Sequence, residues 1–122
     1  MTAKRADSTP LPVIDLQAVA RQAQAGHPPT VVAVFDDYWL SVARVSEDLG
    51  LHRHDDADEL LIVLEGAIQV EVGGATIRVG PRQLCVVPRG QVQHPRPVGE
   101  AVLLLCERRD AAPSVKLAAG SS

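Results

Sequence analysis

Aromatic residues are almost missing from this 122-residue chain: Phe35, Tyr38 and Trp39 are its only ones, all in one segment. The core must therefore be built from Val, Leu, Ile and Ala, and any stacking pocket has three candidates to draw on. Cysteine is equally sparse. Cys85 and Cys106 both sit inside apolar, strand-like runs, where a free thiol behaves as a small buried hydrophobe, so no disulfide framework is implied. No apolar run approaches the roughly 18 residues a membrane span needs, because the runs 60–64 and 102–106 are short and bounded by Glu. Basic charge is not in excess either. The net charge is -3, and apart from Lys4-Arg5 and Arg108-Arg109 the basic residues are scattered singly, leaving no stripe to follow a phosphate backbone. The segment 1–12 has two basic residues but no apolar stretch behind them, so it does not read as a secretory signal. These absences together predict a soluble, cytoplasmic protein that binds neither membrane nor nucleic acid.

What is present is the composition of one ordinary domain, 46% hydrophobic and 22% charged. Residues 1–12 and 110–122 are polar and small, with too little apolar surface to offset their ordering entropy, and are expected to be a disordered N-terminal tail and a flexible C-terminal one. That leaves a single domain over 13–109. Asp15 is placed to cap a short helix in which Leu16, Val19, Ala20 and Ala23 share one face, with Gly26 just past its end. From Thr30 onward the signals change to short β-branched runs separated by Gly, Pro and Asp clusters. The predicted strands cover 31–35, 38–45, a segment entering His52, 60–64, 67–72, 76–79, 84–87 and 102–107, with a Gly73-Gly74 hairpin turn between two of them. Clean alternation around that turn, Ile68, Val70 and Val72 against Gln69 and Glu71, requires one dry face and one wet face. The fold class is all-β: a small antiparallel β-barrel or double-stranded jelly roll with one short N-terminal α-helix.

Two of the four histidines, His52 and His54, are separated by one residue in an extended segment, so their imidazoles point to one face and can reach a common point. Glu59 follows past the acidic turn of Asp55, Asp56 and Asp58, and opens a buried run, where a carboxylate is costly unless paired or bound to a cation. The acidic turn itself reads as solvated charge. His94 lies a few residues beyond the turn Pro88-Arg89-Gly90, and strand pairing in a closed barrel would bring it opposite the first pair. Tyr38 is the only phenol, so with Glu59 it is the candidate for acid or base catalysis. Trp39 reads as ordinary core, and Arg89 and Arg96 either as solvated turn arginines or as groups that could receive an anionic substrate.

The run His52-Arg53-His54, then Glu59, then Gly66 resembles the first cupin motif, and Pro88-Arg89-Gly90 followed by His94 resembles the second, with Gly80-Pro81 as the turn before it. The resemblance extends from about Tyr38 to Glu107 and is closest to small single-domain cupins of the kind labelled mannose-6-phosphate isomerase-like. The chain departs from the pattern in three places. Ser46 stands where the first motif usually has Gly, three residues rather than two separate Gly90 from His94, and the Asn that usually follows is absent. A one-residue insertion turns every later side chain of a strand to the other face unless a bulge absorbs it.

The resemblance implies a divalent transition metal, Fe, Mn, Ni, Co, Cu or Zn, held by His52, His54, Glu59 and His94, with a small-molecule ligand inside the barrel. It implies a metal-dependent enzyme of oxygenase, isomerase, lyase or cyclase type, or a non-catalytic binding module, and it implies a homodimer. The residue types agree with the metal class, since imidazole plus carboxylate without thiolate suits these ions.

Overall fold

A computed structural model of the chain describes residues 11–111 and 114–117. Its helix, α1 (Leu16–Gln22), starts where the Asp15 carboxylate accepts hydrogen bonds from the Gln17 and Ala18 amides, satisfying two donors that a helix start leaves unpaired. The apolar side of α1 lies on the outer face of a sheet against Val42, Val102 and Leu104, with Ala20 only 1% exposed. Arg44 of that sheet donates to the Ala20 and Ala23 carbonyls at 2.7 and 2.8 Å, tying down the far end of the helix.

The strands are β1 (Thr30–Phe35), β2 (Tyr38–Val45), β3 (His52–Arg53), β4 (Glu59–Glu65), β5 (Ile68–Val72), β6 (Ala75–Val79), β7 (Leu84–Val87), β8 (Val92–Pro97), β9 (Ala101–Arg108) and β10 (Val115–Lys116). They pair antiparallel in two five-stranded sheets, ordered β1-β2-β9-β4-β7 and β10-β3-β8-β5-β6. This is the jelly roll expected of the strand pattern. Inward-facing Leu61, Val63, Ile68, Val70 and Leu103 pack between the sheets and are at most 2% exposed. Each such side chain contributes about 1.5 to 3 kcal/mol of burial free energy. Gly66, at φ +76°, turns the chain from β4 into β5 so close to its neighbour that a Cβ there would run into the Glu100 carbonyl oxygen.

Two parts of the fold differ from the sequence expectation. Strand β8 occupies the centre of its sheet, although Pro95 and Pro97 argue against a strand there. The Pro95 carbonyl accepts from Leu49 N at 3.1 Å, so the backbone polar groups of that residue point at the loop before β3 and not at β5, and its missing N–H breaks no ladder bond. The second difference lies in the expected C-terminal tail. Val115 and Lys116 pair with Arg53 and His52, and Leu117 N donates to Leu51 O at 2.9 Å, because the short β3 would otherwise leave its backbone groups unpaired. The rest of that tail beyond 117, and residues 1–10, lie outside the described residues.

Candidate metal centre

His52 lies on β3 and His54 just past it, with ring centroids 5.3 Å apart and planes at 81°. His52 Nδ1 lies 3.1 Å from the Gly50 carbonyl, which has no proton to give, so Nδ1 carries the hydrogen and donates. That fixes the tautomer and leaves Nε2 bare as a ligand. Glu59, the first residue of β4, is 7% exposed. Its Oε1 accepts a 2.9 Å hydrogen bond from Gln93 Nε2, and its Oε2 lies 3.5 Å from His54 Nε2. At that separation the His54 contact is an ion-pair contact and not a well-formed hydrogen bond, and His54 Nε2 is buried with no hydrogen-bond partner among the described residues.

One ligand atom from each of His52, His54 and Glu59 falls within 4.8 Å of the others. Two donor atoms each about 2.1 Å from a tetrahedral ion sit about 3.4 Å apart, so the His54–Glu59 gap is one a cation can bridge. A cation would also satisfy the orphaned His54 nitrogen. The donor set therefore fits a divalent metal.

The charge states point the same way. Burial holds the His52 imidazole below its usual pKa of 6.5, outweighing its bond to Gly50 and the nearby Glu59 charge. Glu59 raises the pKa of His54, against the effect of burial. Burial alone would push the Glu59 carboxyl up, but His54, Gln93 and His52 together hold it below the usual carboxylate range. Ionised carboxylate is the ligating form, and His52 is already the neutral imidazole a metal requires.

The three residues line a cavity of about 720 Å³, with Leu61, Leu103 and Leu105 as apolar wall and Lys116 among its charged groups. That volume is in the range of small-molecule sites. A smaller hollow of about 240 Å³ includes His54, Glu59, Trp39 and Asp58. Glu107 of β9 lines both. Burial first, and then the Glu59 charge, push its carboxyl above the ordinary carboxylate value.

Several sequence expectations are corrected here. His94 does not join His52, His54 and Glu59. The pairings of β8 with β3 and β5 run without a register shift, so no bulge absorbs the extra residue, and Gln93 takes the inward position at 0% exposed. His94 turns to the other face, where its Nε2 meets Asp48 at 2.7 Å and its Nδ1 lies 3.6 Å from Glu71. Tyr38, 38% exposed, lines neither of these two cavities. Trp39 is 44% exposed and walls the smaller hollow; it is not core. Arg89 bonds Asp58 and Arg96 pairs with Glu71, and neither lines the larger cavity; Lys116 does, whereas the Arg44 guanidinium is turned to the end of α1. Cys85 and Cys106 are free and partly buried.

Gln93 and Glu107 are the site residues that sequence reading missed. The signal for Gln93 was present, since it lies at the two-residue spacing after Gly90 at which the motif places its ligand. The signal for Glu107 was strand alternation, because Leu103, Leu105 and Glu107 share a face.

Residues 40–106 match the model of the cupin domain family. Among curated proteins the chain is 26% identical over 98 residues to the uncharacterized protein YdbB of Bacillus subtilis, covering 80% of this chain and 87% of that one. A cupin-2 domain protein of Shewanella frigidimarina superposes with a TM-score of 0.75 at 27% identity, covering 80% of this chain and 95% of the other. Hydroquinone 1,2-dioxygenase PnpCD, solved with Cd2+ and 4-hydroxybenzonitrile, shares the fold at a TM-score of 0.61 and 14% identity, over 77% of this chain and 71% of its own. Among the described residues, no helix is long and apolar enough to cross a membrane.

Proposed function

The chain belongs to the cupin family, and on that footing we propose that it is a metal-dependent enzyme acting on a small polar or carbonyl-bearing metabolite. The observation that carries this reading is the convergence of His52, His54 and Glu59 on one point of a cavity large enough for such a molecule. Two imidazoles and one carboxylate form the donor set of nonhaem iron(II) oxygenases, which makes iron the first metal to test. A bound ion there would polarise a substrate oxygen or activate a small molecule beside it.

The chain's own residues do the rest. The aliphatic wall of Leu61, Leu103 and Leu105 excludes water from one side of the cavity, and Lys116, beside His52 in the strand register, brings a positive charge to it. Glu107 faces the same space with a carboxyl that takes up a proton more readily than an ordinary glutamate, so it can hold or pass one near the reacting atoms.

The test is to load the protein with iron(II), zinc or manganese, incubate it with a metabolite extract, and follow consumption and product formation by mass spectrometry. The same is done with the variant carrying His52→Ala and His54→Ala. Conversion by the wild type alone supports the enzyme. Saturable retention of a compound without conversion would replace this reading with that of a non-catalytic binding module.

A further inference from the structure

We propose that Gln93 sets the ligand number of this centre: its amide faces the ion's site, holds Glu59 with Oε2 toward His54, and stands where a third imidazole would otherwise complete the set. The inference rests on the metal reading above and concerns which protein groups surround the ion.

Three observations carry it. First, Gln93 is 0% exposed and is paired in register with His52 across β3 and β8, so the two side chains leave their strands on the same inward face. Second, an ionised carboxylate can only accept, so the amide must present its NH2 group to Glu59. The resulting 2.9 Å bond holds Oε1 toward Gln93 and so orients Oε2 as the oxygen nearest His54. Third, the other end of the amide, Gln93 Oε1, is buried without a hydrogen-bond partner among the described residues. An acceptor left bare in a buried site is costly, and a water or a substrate hydroxyl entering the site would satisfy it. An amide is a weaker donor to transition metals than imidazole, so Gln93 serves as a positioning residue that acts through Glu59.

The test uses copper(II) alone as the probe, with pulsed electron paramagnetic resonance to count coordinated imidazoles and a competition titration to measure affinity. The wild type is expected to show two imidazoles. Gln93→His should add a third, which no purely structural role for this position would produce. Gln93→Leu, which removes the bond to Glu59, should keep two imidazoles and bind copper about 10- to 100-fold more weakly. Three imidazoles in the wild type, or no third imidazole in Gln93→His, would overturn the inference, as would an affinity in Gln93→Leu equal to wild type. Should Gln93→Leu fail to fold, the imidazole count in Gln93→His decides the matter alone. A wild type that binds no copper at all would overturn the metal reading itself, and this inference with it.

Discussion

His94 meets Asp48 at 2.7 Å on one face of β8, while its neighbour Gln93 points through the other face to Glu59. This pair joins the loop before β3 to the strand, alongside the Leu49 N to Pro95 O bond, and so helps hold one wall of the cavity in place. Only one of two adjacent strand residues can reach the interior, and the uninterrupted register of β8 gives that position to the glutamine.

His94→Ala is therefore expected to leave metal content unchanged. A partly exposed pair of this kind contributes about 1 kcal/mol or less, so urea unfolding should shift little. Metal analysis of the purified variant checks the first point, and a large loss of metal would put His94 back in the site.

Metal affinity should fall as the pH is lowered, and His54 should control the upper part of that fall. Its pKa is raised by Glu59, so a metal must displace a proton there at pH values where an ordinary histidine is already neutral. The sign for the metal-free protein is opposite: the His54–Glu59 contact stabilises the fold at low pH, within the range where Glu59 stays ionised, and that stability is lost as pH rises through the His54 pKa. His52, with its lowered pKa, competes with metal only at more acidic pH. Calorimetric titration from about pH 6 to about pH 8 should give affinities changing about tenfold per unit at the acid end, where one proton is displaced.

Gly66→Ala should destabilise the fold by about 2 to 4 kcal/mol, since φ +76° disfavours any side chain and the Glu100 carbonyl fills the space. Denaturant unfolding measures this. Gly74→Ala tests the separate cost of positive φ, because no atom lies within 4 Å of its added Cβ.

Glu107→Gln should raise the melting temperature of the metal-free protein at neutral pH. Burial and Glu59 raise the Glu107 pKa, so the ionised form is less favourable in the folded chain than in the unfolded one. That cost is present above the folded pKa and vanishes as pH falls through it. The gain should therefore shrink in acid, and a gain that persisted there would point to another cause.

Most of the scaffold was legible because its signals are local. Asp15 and the face of Leu16, Val19 and Ala20 specify α1, the paired glycines 73 and 74 specify the hairpin, and alternation separates Ile68 and Val70 from Gln69 and Glu71. His52, His54 and Glu59 could also be read, since two are adjacent on one face and the third opens a buried strand. Strand β8 was not legible, because tolerance of Pro95 depends on which neighbour its backbone faces, a tertiary fact. The fourth position of the site failed with it: choosing between Gln93 and His94 required the register of a strand that sequence alone did not reveal. Pairing of Val115 and Lys116 was hidden for a similar reason, as it depends on the open edge left by β3.

The central claim is that His52, His54 and Glu59 form a metal centre, and elemental analysis by plasma mass spectrometry tests it most directly. Tag-free wild type, purified without chelator and reconstituted, should carry about one divalent transition metal per chain. The variant with His52→Ala and His54→Ala should remain folded and carry almost none. Wild type without metal after reconstitution, or a double variant that retains it in full, would contradict the account.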